Sequence, residues 1–350
     1  MKALPPVLGI TLALTLGVIG GALAYVGGLP LPWMIGPMMA TTLAALLHAP
    51  IRPPNRLRPV VIPVIGVLLG ASVTPDTLGQ LSLWAMTFAS LPLFLALAGG
   101  VSYLTYRRLG RYDPVTAFYA AMPGGLNEML LLGAAAGGDE KRIALAHAAR
   151  VLLVVTFVGL FFGLVLGVRS GAGGAGWTGW SELSLREGAI LAACAVLGVP
   201  MARFARLPAA PVFGPMILSA ATHVTGWIAV PPPSALVIAA QITIGTVIGC
   251  RFLGATAREI LRDLSLAIPA SLAMLAVAVA TALLVTWANG MPLAQVFLAF
   301  SPGGLTEMSL LTLTLDQDVA FVSVTHVIRI TMVIAAAPFV FRALRGRMGS

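Results

Sequence analysis

Met122–Met129 reads Met-Pro-Gly-Gly-Leu-Asn-Glu-Met, and Ser301–Met308 reads Ser-Pro-Gly-Gly-Leu-Thr-Glu-Met. The two stretches stand 179 residues apart (301 minus 122). Outward from them the same spacing carries His147 onto His326, Arg150 onto Arg329 and Asp139 onto Asp318. It also carries Ile65-Gly66 with Gly70 onto Ile244-Gly245 with Gly249. Further upstream, Ile35-Gly36-Pro37-Met38 matches Phe213-Gly214-Pro215-Met216 at 178. Rare residue types that recur at one spacing across most of a chain mark an internal duplication. The repeats are read as 1–175 and 176–350.

The surroundings of these motifs are strongly apolar. Of 350 residues, 59% are hydrophobic and 9% charged, against about 45–50% and about 25% in soluble domains. A lipid-facing surface accounts for that balance. Runs of about 20 apolar residues are long enough to span a bilayer, and they place helices at 7–26, 31–48, 60–75, 80–105 and 142–168. In the second half they fall at 188–204, 210–228, 233–253, 264–288 and 319–341. The segment 7–26 is expected to be a retained span, although Lys2 and Ala22-Leu23-Ala24 mimic a cleaved signal; its counterpart near 188–203 cannot be one. Residues 170–179 are Gly-rich and read as a linker.

Basic residues set an orientation, because cytoplasmic loops collect Lys and Arg. In the first half they follow the second helix (Arg52, Arg56, Arg58) and the fourth (Arg107, Arg108, Arg111). In the second half they follow the first helix (Arg203, Arg206) and the third (Arg251, Arg258, Arg262). The halves therefore run in opposite senses. That demands an odd number of crossings per half, so each Pro-Gly-Gly segment (113–137 and 292–315) must enter and leave on one side. Lys141 and Arg142 after the first and Asp316 and Asp318 after the second agree, and Arg342, Arg345 and Arg347 end the chain inside. The expected fold is an all-α integral membrane protein of two inverted-topology repeats. Each has about five transmembrane helices plus one re-entrant Pro-Gly-Gly hairpin, and both termini are cytoplasmic.

Non-helical backbone at membrane depth is tolerated only inside protein or beside a wet cavity. Pro and Gly-Gly end one short helix, and Leu-Asn-Glu or Leu-Thr-Glu starts the next. The N–H groups near Gly124, Gly125, Gly303 and Gly304 would suit an anion, with Asn127 and Thr306 as further donors. Glu128 and Glu307 sit just past the tips, and an intramembrane carboxylate costs about 2.5–3.5 kcal/mol. Arg150 and Arg329 lie about nine residues into their helices, near the bilayer centre, and His147 and His326 share their faces. Two readings stand. Glu and Arg neutralise each other as buried pairs, or Arg binds an anion while Glu or His carries a coupling proton. The Gly-x-x-x-Gly pairs at 66/70 and 245/249 are read as packing sites. Cys194 and Cys250, isolated in apolar runs, read as buried hydrophobes. The sequence carries no metal-ligand cluster, phosphate loop or dinucleotide fingerprint, so no cofactor, metal or catalytic residue is expected.

Pro-Trp-Met-Ile-Gly-Pro (32–37), Pro-Val-Phe-Gly-Pro (211–215) and the two Pro-Gly-Gly-Leu motifs resemble the duplicated AbrB membrane-protein family across essentially the whole chain. The resemblance implies a bacterial cytoplasmic (inner) membrane and, through the family's regulator label, a role in gene expression. An ammonia monooxygenase label is also used in the family, but this chain supplies no copper or iron ligand set. By architecture the layout is similar to 2-hydroxycarboxylate and related secondary transporters. The leading expectation is a secondary transporter or exporter of a small anionic solute, not an enzyme, moving a hairpin-bearing core against a scaffold. The alternative is a membrane sensor that regulates expression indirectly. The expected partners are the lipid bilayer and a small solute. No direct nucleic-acid contact is expected, since no soluble segment is long enough for a reader domain. Association into a homo-oligomer is left open.

Overall fold

The computed structural model describes residues 5–79, 81–165 and 177–348. Most of the 170–179 linker lies outside them. Among the described residues every regular element is helical. The first half holds α1 (Pro6–Val26), α2 (Pro32–Leu46), α3 (Arg58–Ala71), α4 (Pro75–Gly79), α5 (Leu81–Arg108), α6 (Pro114–Ala121), α7 (Leu126–Ala135) and α8 (Glu140–Leu160). The second holds α9 (Leu185–Phe204), α10 (Ala210–Val224), α11 (Ser234–Gly249), α12 (Ala257–Asn289), α13 (Leu293–Phe300), α14 (Leu305–Thr314) and α15 (Val319–Met348).

Among the described residues, seven helical segments are long and apolar enough to cross a membrane: 6–26, 82–108, 140–163, 185–204, 234–252, 257–289 and 319–344. Ten were expected, and the three that fall short are α2, α3 and α10. At 14 or 15 residues each is about 21–23 Å long, below the roughly 30 Å hydrocarbon thickness. The causes are local. α2 and α10 start where expected to within a residue, with a proline in the first turn preset for a helical start. They end early, at Leu46 and Val224 rather than at 48 and 228, with His48 (φ 55°) and Gly226 (φ 74°) in left-handed backbone just beyond. Thr74 precedes Pro75 and is biased to extended backbone, so the α3 run cannot continue to 75. In the opposite direction, α12 starts at 257 rather than 264. A capping box at Thr256 and Glu259 fixes that start, and a few charges in the first turns do not stop a helix.

Two compact units emerge, and each draws on both halves of the sequence. Unit 1 comprises Met1–Leu81, Val155–Gly254 and Thr306–Phe321. In it α3 packs on α10 and α9, while α11 packs on α2 and α1. The packing is backbone to backbone. A Cβ on Gly66 would strike the Val212 carbonyl, and one on Gly245 would strike that of Met34. Gly70 and Gly249 meet the Met216 and Met38 carbonyls in the same way. Gly20 with Gly36 and Gly198 with Gly214 repeat the approach within each half. Both Gly-x-x-x-Gly pairs are thus packing sites, as expected.

Unit 2 comprises Ser82–Val154, Ala255–Leu305 and Val322–Ser350. It holds α5, α6, α7, α12, α13 and most of α8 and α15. Tyr106, Tyr112, Ala117, Ala146 and Leu266 form one buried cluster. Phe118, Tyr119, Met129, Ile143, Val333 and Phe341 form another.

Candidate functional site

Both Pro-Gly-Gly motifs break a helix. Met122 closes α6 with an extended backbone (φ −64°, ψ 127°), and Ser301 closes α13 likewise (φ −55°, ψ 131°). Each precedes a proline, which excludes it from the helical region. Gly125 then caps α7. Gly124 and Gly125 are not there for positive φ, which neither adopts. They leave room: a Cβ on Gly124 would come 2.8 Å from Val333 Cγ1, and one on Gly125 would strike the Glu128 carboxylate.

A helix ending at X-Pro leaves carbonyls unpaired and gathers the negative end of its dipole there. The two arginines answer this. Arg150, 5% exposed on α8, donates through Nη1 to the Met122 carbonyl (3.1 Å) and through Nη2 to His147 Nδ1 (2.8 Å). His147 Nε2 in turn donates to the Tyr119 carbonyl (2.9 Å), which fixes the tautomer this network requires. Arg329, 2% exposed on α15, donates through Nη1 to Ser301 (2.6 Å) and Phe300 (3.4 Å), and through Nη2 to Gly303 (2.9 Å). His326 instead donates from Nδ1 to Val322 of its own helix (2.9 Å). Arg150 and Arg329 lie within range for their charges to interact, and Nε of each is buried without a partner.

The remaining expected residues scatter. Glu128 and Asn127 are exposed, with Glu128 folded back towards Gly125. Glu307 is 6% exposed. It and Thr306 belong to unit 1, where the charges of Glu307 and Arg58 act on Arg251. Neither Glu128 nor Glu307 takes part in an ion pair among the described residues; the pairs found there are Lys141–Glu259 at 2.8 Å and Arg142–Asp139 at 3.3 Å. The arginines bond carbonyls rather than carboxylates. Among the described residues no group of three or more His, Cys, Asp or Glu could hold a metal ion.

Two further features of unit 2 went unread in the sequence. The first is a cavity of about 750 Å³ between α5, α6 and α15, lined by residues such as Gly99, Tyr103, Phe118, Met122 and Val333. Its wall is almost wholly apolar, and it reaches the first break at Met122. The second is a polar file. Tyr106 senses the charge of Arg150 and stacks on Tyr112 with ring centroids 5.4 Å apart. The Tyr112 hydroxyl donates to Asp263 Oδ1 at 2.8 Å. Burial, with Asp263 alongside, pushes the Tyr112 phenol above its ordinary range. Asp263 escaped notice because it lies one residue outside the apolar run at 264–288. The Thr256-x-x-Glu259 capping signal was the clue that puts it inside α12.

Comparison with known proteins bears on the whole chain. A family model described as "Transition state regulatory protein AbrB" matches residues 33–345. The "Uncharacterized protein YhjN" of Bacillus subtilis (strain 168) is 25% identical over 352 residues, covering 93% of this chain and 90% of the relative. The "Putative regulator AbrB" of Escherichia coli (strain K12) is 24% identical over 318 residues, covering 90% of each.

Proposed function

The chain belongs to the AbrB family, and from that premise we propose that it is a secondary transporter or exporter of a small anionic solute. The observation that carries this reading is the pair of guanidiniums in unit 2. Arg150 and Arg329 are both buried, near enough to interact, and bonded to carbonyls rather than to a carboxylate. Buried charge without a counter-ion is costly. A small anion brought to these arginines relieves that cost and is held by charge-assisted bonds. No covalent chemistry is asked of the site, so the protein is not an enzyme in this reading.

The chain sits in a bacterial cytoplasmic membrane with both termini inside, and its halves are inverted repeats. The alternation of basic loops supports that topology, and so does the recurrence of the Gly66/Gly70 packing at Gly245/Gly249. The two helix breaks are re-entrant hairpins. Unit 2, with both arginines, is the body that carries the solute.

A second reading rests on the relative named as a regulator. The same arginines would bind an anion as a signal, with an indirect effect on gene expression. Reconstituted proteoliposomes separate the two. Counterflow of one member of a panel of radiolabelled small carboxylates, abolished by Arg150→Ala, is the expected result. Saturable binding of a panel member with no movement across the bilayer rejects transport and favours the sensor.

A further inference from the structure

We propose that Asp263 is a proton-binding site linked to the anion site at Arg150 through Tyr106 and Tyr112. The inference rests on the transport reading for its purpose, but not for its geometry. Asp263 is 4% exposed, and the ion pairs among the described residues engage Glu259 and Asp139 instead. Its bonded partner is the neutral Tyr112 hydroxyl, which can donate equally to a carboxylate oxygen or to the carbonyl oxygen of the acid. The site is therefore built to hold either form.

The groups around it come from every neighbouring element. Tyr106 on α5 and Tyr112 before α6 face it, as do Arg142 of α8 and Arg262 and Glu259 of its own helix. Most are committed elsewhere. Arg142 pairs with Asp139 and lies over the Tyr112 ring at 5.1 Å. Glu259 is held by Lys141. Arg262 donates to the Gly110 carbonyl at 3.2 Å, and Arg107 anchors the Tyr112 carbonyl at 2.6 Å. What is left to vary is the charge on Asp263.

Tyr106 is the connection. It lies in the field of both Arg150 and Asp263. With Asp263 ionised, its negative charge offsets part of the arginine's. When a proton adds to a carboxylate oxygen, that offset disappears and the arginine attracts an anion more strongly. Binding is reciprocal, so a bound anion must favour the proton by the same factor. One proton taken up with one monoanion leaves the charge of the unit unchanged, as electroneutral symport requires. The duplication does not repeat this set: the positions matching Tyr106, Tyr112 and Asp263 at the 179-residue spacing are Val285, Met291 and Trp84.

The test uses the full chain in lipid nanodiscs. Infrared difference spectra against pH follow the carboxylic-acid C=O band that Asp263→Asn removes. In Arg150→Gln its midpoint should move to higher pH, by about a fivefold change in proton affinity or more; Arg150→Lys, which keeps the charge, should return it. A midpoint unmoved by Arg150→Gln overturns the linkage. If either arginine variant unfolds, Tyr106→Phe and Tyr112→Phe serve in its place, and no movement in both is equally fatal. In proteoliposomes, Asp263→Asn should keep counterflow of the carboxylate panel and lose uphill uptake driven by a pH gradient. Uphill uptake retained in Asp263→Asn overturns the proposal. A wild-type protein that moves no solute yet shows the linked titration defeats the transport reading and leaves the proton site standing.

Discussion

The first and second helix breaks share a sequence pattern and an arginine, yet their surroundings differ. At the first, Arg150 spends one bond on a backbone carbonyl and one on His147, and the nearby Glu128 is exposed. At the second, Arg329 holds three carbonyls, His326 turns to its own helix, and Glu307 is buried. The duplication therefore keeps the cap on the broken helix and lets the rest diverge. Arg329 is the more structural of the two, and Arg150 the more available to a ligand and to Asp263.

The largest effect should come from Arg329→Ala. It strands three buried carbonyls, and a hydrogen bond to a charged donor contributes about 1.5–3 kcal/mol. Thermal unfolding in detergent should show a loss of at least ~3 kcal/mol. Arg150→Ala should lose less stability but more anion binding. Equal losses for the two would break the distinction between the arginines.

Next come the glutamates. Glu307→Ala opens a buried site and should cost about 1–3 kcal/mol, while Glu128→Ala should stay within about 0.5 kcal/mol, as exposed positions do. The same unfolding assay reads both, and a reversed order would show that the burial difference has no energetic weight.

Gly124→Ala sharpens the picture of the first tip. Its new methyl crowds Val333, and overpacking of this kind costs about 1–3 kcal/mol. Adding Val333→Ala should recover part of the loss. No recovery would mean that the glycine serves some purpose other than space.

The smallest effect lies at the start of the arginine-bearing helices. Asp139 accepts from the Arg142 N–H at 3.1 Å and pairs with that side chain, while Asp318 accepts from the Phe321 N–H at 3.0 Å. Burial holds the Asp318 carboxyl above its ordinary range. Its raised folded value means that the linked stability is full at low pH and declines as pH rises through that value. Above about pH 4, the ordinary carboxylate range, Asp318→Asn should flatten the decline in unfolding temperature; a decline unchanged in that variant would show that the buried carboxyl is not its source.

Much of this fold was legible in the sequence. Pro-Gly-Gly inside an apolar run announces helix–break–helix, and the structure has breaks at both places. The lengths of α2, α3 and α10 were not legible, because the apolar runs continue past Leu46, Ala71 and Val224 while the helices do not. The arginine partners were also hidden. A carbonyl freed 28 residues upstream leaves no mark on composition, so carboxylates looked like the natural mates. Identical letters concealed the divergence of Glu128 and Glu307, since burial is a property of neighbours from distant parts of the chain.

The glycine seams of unit 1 also set a timetable. Gly66 and Gly70 on α3 are shaped to the backbone of α10, which begins about 140 residues after α3 ends at Ala71. At roughly 5–20 residues per second, the ribosome leaves that groove unfilled for something like seven to thirty seconds. α2 waits longer still for Gly245 and Gly249 of α11. The first half must therefore persist in an unfinished form during synthesis, presenting seams cut to fit helices that have not yet been made.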